Sequence, residues 1–216
     1  MDEPFADASL LPTFLLSHFT RSRVTVALSG DGGDEVFAGY PTYLAHKLAK
    51  WIPDWTIPFI KYGSNCLPVN FNNISFDFKA KQFSKGLGHN PALRHQYWLG
   101  SFDNGEKMQG YTNSFNDQLS GHKNLENILE DYMAENTTGN GWESHLYQDM
   151  CFLLQDNMLV KVDRSSMANS LEVRVPYLDH NIVEFMASVP SEWKYRLATS
   201  KYLLKSVRME LKELNA

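Results

Sequence analysis

Little in this 216-residue chain suggests a cross-linked, membrane-spanning or polyanion-binding protein. It has two cysteines, Cys66 and Cys151, far apart and in no CxxC or CxxH pattern. That excludes a disulfide scaffold and a thiolate zinc site, and reads as two free thiols in a reducing compartment. No apolar run approaches the roughly 20 residues of a spanning helix, so no membrane role is expected. The formal net charge of −5 gives no basic field, which disfavours a nucleic-acid partner. The opening Met1-Asp2-Glu3-Pro4 lacks the basic and apolar regions of a secretion signal, so the expected location is cytoplasmic. The seven histidines are scattered, and the nearest pair, His89 and His95, has the wrong helical phase to share an ion. A histidine metal site is therefore not expected.

What is present is globular. Hydrophobic residues make up 43% and aromatics 13%, enough for one sizeable core or a large piece of a bigger domain. Apolar spacing predicts a helix over Ala8–Thr20 and a short buried strand over Val24–Leu28. Ser29–Gly33 is a turn, and a helix runs from Asp34 toward Lys50 with a break near Gly39–Pro41. Ile52–Asn73, rich in Pro, Gly and Asn, reads as irregular, and Pro91–Leu99 as a short aromatic stretch. Helices are predicted over Asp77–Leu87, Leu125–Ala134, two stretches of Trp142–Ser170, Val183–Val189 and Ala198–Leu214, with a loop at Gly139–Gly141. One strand cannot satisfy its own backbone groups, so its ladder partners are expected in segments outside this chain.

The chemistry concentrates in VALSGDGGDEVFAGY, Val26 to Tyr40. After the strand, Ser29-Gly30-Asp31-Gly32-Gly33 presents backbone N–H groups with little side chain in the way, and a helix N-terminus follows. That is an anion site, yet it carries three acids, Asp31, Asp34 and Glu35. It is neither a Walker A loop nor a dinucleotide GxGxxG turn. Carboxylates beside phosphate become favourable once Mg²⁺ lies between them, so the loop points to metal-complexed polyphosphate. The plainer alternative is a tight turn with Asp34 as helix N-cap and Glu35 in the first turn.

LSGDGGDEVFAGY closely resembles a block of the synthetase domain of glutamine-hydrolysing asparagine synthetases, and LVKVDRSSMANSLEVRVPYLDH, Leu159 to His180, resembles another. DEPFADASLLP at Asp2–Pro12, Lys81–Trp98 and TSKYLLK at Thr199–Lys205 are more weakly similar to segments of that family. The resemblance implies an α/β fold of the ATP pyrophosphatase (adenine-nucleotide α-hydrolase-like) type, mostly helical here with few parallel strands. It implies a ligase that uses ATP and Mg²⁺ to convert aspartate to asparagine through β-aspartyl-AMP, with ammonia from a glutaminase domain that hydrolyses glutamine. Ser29, Gly30 and Asp31 would line the nucleotide pocket, together with the amides of Gly32 and Gly33. Asp34, with Glu35, would hold Mg²⁺–pyrophosphate. Lys201 and Asp31 would be the catalytic pair, the ammonium countering charge on the α-phosphate and pyrophosphate. The family loop often carries Glu where Asp31 stands, a change that keeps the charge.

The departures are also informative. The family's SGGxDS pyrophosphate loop occurs nowhere in the 216 residues, nor does an N-terminal catalytic cysteine. The resemblance therefore implies that residues 1–216 are a partial synthase domain, inactive alone, without the glutaminase domain, the first pyrophosphate loop and the closing segment. A homodimer is one expected assembly.

The second block mixes Lys161, Asp163, Arg164, Glu172, Arg174 and Asp179 with apolar residues, which predicts a buried ion network. Glu172 and Arg174 should alternate onto one side of an extended segment before Pro176. A sharper role would have Asp163, Arg164 or Glu172 orient the amino and α-carboxylate groups of aspartate. Two other readings stand beside the main one: a β-lactam synthetase-like or peptide-tailoring amide ligase, and a non-catalytic scaffold that keeps the fold.

Overall fold

A computed structural model describes residues 4–70, 75–100, 102, 104–119, 125–135, 143–196 and 198–214. The chain divides into two units, one of Met1–Tyr40 with Leu146–Ala216 and one of Pro41–His145. In chain order the elements are α1 (Leu10–Arg21), β1 (Val26–Leu28), α2 (Gly33–Phe37), α3 (Pro41–Ala49), α4 (Ile57–Asn65), α5 (Phe76–Gly86), α6 (Pro91–Leu99), α7 (Asn104–Gly110), α8 (Asn113–Leu119), α9 (Leu125–Glu135) and α10 (Glu143–Gln148). A π-helical stretch, Asp149–Leu159, then leads into α11 (Val160–Met167), β2 (Glu172–Arg174), α12 (His180–Ser188), α13 (Ser191–Lys194) and α14 (Tyr202–Leu214). The Gly139–Gly141 loop lies outside the described residues.

Sequence expectations are corrected in two regions. First, the ladder partner of Val24–Leu28 lies within the chain. β1 pairs in parallel with β2, Val26 opposite Glu172 and Leu28 opposite Arg174. The Ser29 N–H extends the ladder by donating to the Arg174 carbonyl at 2.8 Å. The extended form of Glu172–Arg174 was expected, but three residues with charged ends carry no signal of a strand partner. Nor is β1 buried: Leu28 is 74% exposed and Val26 38%. Second, Ile52–Asn73 is not irregular throughout, because it contains α4. Its Pro58 sits at the start of the helix, where the missing N–H breaks no bond. The two helical stretches expected within Trp142–Ser170 are α10 and α11, joined by the π segment, whose wider winding moves apolar side chains off the 3.6-residue period. A mostly helical chain with one parallel strand pair fits the expected α/β class. Among the described residues no helix is long and apolar enough to cross a membrane.

In the first unit, Val36 and Phe37 of α2 and Met186 of α12 form a buried cluster flanked by Tyr177, Leu178, Ile182, Leu203 and Leu204. α1 packs on α11, and the Arg21 Nε–H caps the contact by donating to the Ser170 carbonyl at 2.9 Å. In the second unit, Ala49, Ile57, Leu87 and Trp98 form the core, and the Trp98 Nε1–H donates to the Phe83 carbonyl at 3.0 Å. Gly86 faces that indole so closely that a Cβ there would lie 2.4 Å from Nε1.

Of the six charged residues expected in a buried ion network, one is buried. Lys161 is the buried member of the second block, and its ammonium donates to Asp7 Oδ2 at 2.9 Å and Ser9 Oγ at 2.8 Å. Asp163, Arg164, Glu172, Arg174 and Asp179 are exposed. Burial alone would raise the Asp7 carboxyl, but hydrogen bonds from Ser9 and Lys161 outweigh it and hold its pKa at about 2. A depressed carboxylate contributes stability that is complete above its ordinary pKa near 4 and is lost as pH falls through the folded value. The wild-type melting temperature should therefore fall more steeply than that of Asp7→Asn between about pH 5 and about pH 2. Parallel curves would show that the link contributes nothing.

Candidate functional site: a glycine loop facing a lysine

β1 ends at Leu28 and releases the chain into the Ser29–Gly33 turn. Gly32 takes φ +81°, in the left-handed region that favours glycine. A Cβ there would also come within 2.2 Å of Leu178 Cδ2. At Gly33 a Cβ would lie 3.2 Å from the Tyr177 ring and 3.7 Å from Lys201 Nζ. At Gly39 it would overlap Asp34 Oδ1 at 1.8 Å and approach Lys201 Cε at 2.4 Å. Tyr177, Leu178 and Lys201 thus close over one side of the loop. Gly30 faces the other way: a Cβ there would meet nothing within 4 Å, so that side of the loop is open.

The structure brings Asp34 and Lys201 together, 167 positions apart in sequence (201 less 34), with Nζ 2.9 Å from Oδ1. Their side chains are 41% and 28% exposed, and an ion pair so placed contributes about 0–1 kcal/mol. Lys201 itself has φ +53°, and a non-glycine residue there costs on the order of 1–3 kcal/mol. Ala38, which ends α2, is left-handed as well at φ +57°. The pair is too weak to account for the strained backbone that presents it. A pair this weak is easily exchanged for stronger partners.

Asp34 is not the helix N-cap of the plainer reading: Gly32 holds that position, without a side-chain cap bond, and Asp34 lies in the first turn of α2. The Ser29 hydroxyl donates to Asp31 Oδ2, and the Asp31 N–H donates back to Ser29 Oγ at 3.3 Å. Glu35 differs from its neighbours. It is 2% exposed, and the Tyr40 hydroxyl donates to its Oε1 at 2.6 Å. Burial raises the Glu35 carboxyl, the Tyr40 bond opposes this, and the charges of Asp34 and Asp149 push it further up. Tyr40 stood in the quoted stretch without a role, and buried Asp149 gave no sequence signal. Asp163 and Arg164 lie exposed on α11. Glu172 and Arg174 share a side as expected, and Arg174 Nε–H donates to Glu172 Oε1 at 2.7 Å, both more than half exposed.

The donor set fits a hard cation with polyphosphate. Asp34 offers a carboxylate already held against a cation, Lys201 offers an ammonium, and the loop is open at Gly30.

The comparisons decide the family. The asparagine synthase family model matches residues 1–210. The chain belongs to the asparagine synthase family. It is similar to glutamine-hydrolysing asparagine synthetase 1 of Bacillus subtilis (strain 168), 30% identical over 210 residues, covering 94% of this chain and 31% of the relative. A Mycobacterium bovis protein, provisionally named a glutamine-hydrolysing asparagine synthetase, is 31% identical over 217 residues, 95% of this chain and 30% of its own. A Methanocaldococcus jannaschii protein with a similarly provisional name is 31% identical over 180 residues, 82% and 32%. This asparagine synthase chain thus spans about a third of the curated relatives it matches. No solved structure matches it.

The loop packing makes a paired prediction. Gly32→Ala combines left-handed strain with the Leu178 overlap and should destabilise the chain by about 1–3 kcal/mol in chemical denaturation. Gly30→Ala, facing open space, should stay within about 0.5 kcal/mol of wild type. Equal losses would contradict the placement of Tyr177 and Leu178 over the loop.

Proposed function

We propose that this chain supplies the second nucleotide-site loop of an asparagine synthetase-type ligase. In that reading ATP activates the side-chain carboxylate of aspartate as β-aspartyl-AMP, and glutamine-derived ammonia forms the amide. The observation that carries the reading is the Asp34–Lys201 pair on the glycine loop of a family member. Mg²⁺, when bound, neutralises charge between a carboxylate and phosphate oxygens. Asp34, on the exposed edge of the loop, would hold it. Glu35, buried and engaged by Tyr40, would support α2 from inside, so of the two expected metal acids Asp34 is the one in place to reach a ligand.

Lys201 then loses its partner at the moment a polyphosphate arrives, and its ammonium turns to the developing negative charge on the α-phosphate and leaving pyrophosphate. Ser29 holds Asp31 in a local hydrogen-bonded turn, where its carboxylate would line the nucleotide pocket. Gly30, on the open side of the loop, would let a nucleotide approach the backbone closely, whereas Leu178 and Tyr177 cover Gly32 and Gly33. Asp163, Arg164 and Glu172 are the proposed contacts to the aspartate amino and α-carboxylate groups.

Isothermal titration tests the site directly. Heat should appear with Mg²⁺ and pyrophosphate together, and Asp34→Asn or Lys201→Met should each weaken binding at least about tenfold, or 1.4 kcal/mol. Binding that ignores the metal, or none at all, would leave a scaffold with the family's fold. Because SGGxDS is absent from the 216 residues, the chain alone should give no aspartate-dependent ATP–pyrophosphate exchange. Robust exchange would contradict that.

A further inference from the structure

The second unit holds a cluster that the proposed ligase chemistry does not use. His46 on α3, His95 on α6 and His145 on α10 are 3%, 0% and 2% exposed. One ring nitrogen of each lies within 4.8 Å of the other two. His46 Nε2 and His95 Nδ1 are 3.0 Å apart and share a hydrogen. The His145 ring stacks on His46 with centroids 3.6 Å apart, Tyr43 stacks on His95, and Trp98 meets His46 edge-on. Sequence spacing directed attention to His89 and His95. The fold instead gathers three histidines that are 49 and 50 positions apart (95 less 46, 145 less 95).

For His46, burial and the neighbouring histidines both act against protonation. Neutral imidazole is also the metal-ligating form. Zn–N bonds of about 2.0–2.1 Å in a tetrahedral arrangement place the nitrogens roughly 3.3 Å apart. The His46–His95 nitrogen separation is close to that edge. To serve as ligands, these two rings must turn so that their facing nitrogens point to a common centre instead of at each other, and His145 must leave its stack on His46.

We propose that His46, His95 and His145 bind a borderline transition-metal ion of the Zn²⁺ class, which ties α3, α6 and α10 together. An all-imidazole set selects such ions over Mg²⁺ or Ca²⁺, which take oxygen ligands. With three protein ligands, water takes the fourth position. The site is independent of the Asp34–Lys201 loop, and its test does not involve ligase activity.

The test uses the full chain stripped with a chelator and titrated with Zn²⁺ and Co²⁺. The expected result is one equivalent bound, a tetrahedral Co²⁺ visible spectrum, a raised melting temperature, and zinc-edge X-ray absorption showing imidazole scattering at about 2.0–2.1 Å. His145→Phe keeps a stacked aromatic ring but removes the nitrogens, and should weaken binding at least about tenfold. His180→Asn, at an exposed histidine, should leave binding unchanged. Failure of the wild-type chain to bind an equivalent would overturn the proposal. So would sulfur scattering from Cys66 or Cys151, or His145→Phe binding as tightly as wild type. If His145→Phe does not fold, the wild-type absorption spectrum alone decides, because absence of imidazole scattering contradicts the site.

Discussion

The parallel pairing of Val26–Leu28 with Glu172–Arg174 is the contact on which the candidate site depends. Parallel strands release their chains at the same end, so the Ser29–Gly33 loop and the Pro176–Leu178 turn emerge side by side. That is why Leu178 lies against Gly32 and Tyr177 against Gly33. Ligands of open parallel sheets collect outside the carboxyl ends of the strands, the position this loop occupies. The pairing itself cannot rest on apolar burial, since Leu28 and Val26 are exposed. It is held by ladder hydrogen bonds and by packing on either side, α1 on α11 and α2 on α12 and α14.

Magnitudes separate what stabilises this unit from what equips it to bind. The buried Lys161–Asp7–Ser9 link satisfies an ammonium that would otherwise be stranded, and removing one partner of such a group costs about 1–3 kcal/mol. The Asp34–Lys201 pair is of the same length but far more open, and returns about 1 kcal/mol at most. Two ion pairs at 2.9 Å therefore have different meanings, and burial tells them apart. The first fastens the segment before α1 to α11. The second holds a carboxylate and an ammonium together at the glycine loop, both open to solvent.

Much of this was legible in the sequence where local chemistry dominates. The α1, α5, α9 and α12 periods, the α2–α3 break and the acid-bearing glycine loop all follow from spacing and turn residues. What stayed hidden depends on contacts distant in sequence. The extended form of β2 follows from Pro176, but nothing in its three residues marks Val26–Leu28 as the partner. The Lys201 partner could be suspected from the family resemblance but not from its own neighbours. The charges of the second block looked alike in sequence, yet only Lys161 turned inward, because α11 presents it to the N-terminal segment. Three histidines on separate helices of the second unit share no spacing at all, and only packing unites them.

The central claim is that Asp34 and Lys201 hold metal-complexed polyphosphate on the glycine loop. Substituting Mn²⁺ for Mg²⁺ and following the ³¹P relaxation of pyrophosphate tests it most directly, since a paramagnetic ion relaxes only phosphorus held close to it. The account predicts relaxation by the wild-type chain well beyond that of Mn²⁺–pyrophosphate alone, abolished by Asp34→Asn. Relaxation no greater than the protein-free value, or unchanged by Asp34→Asn, would contradict it.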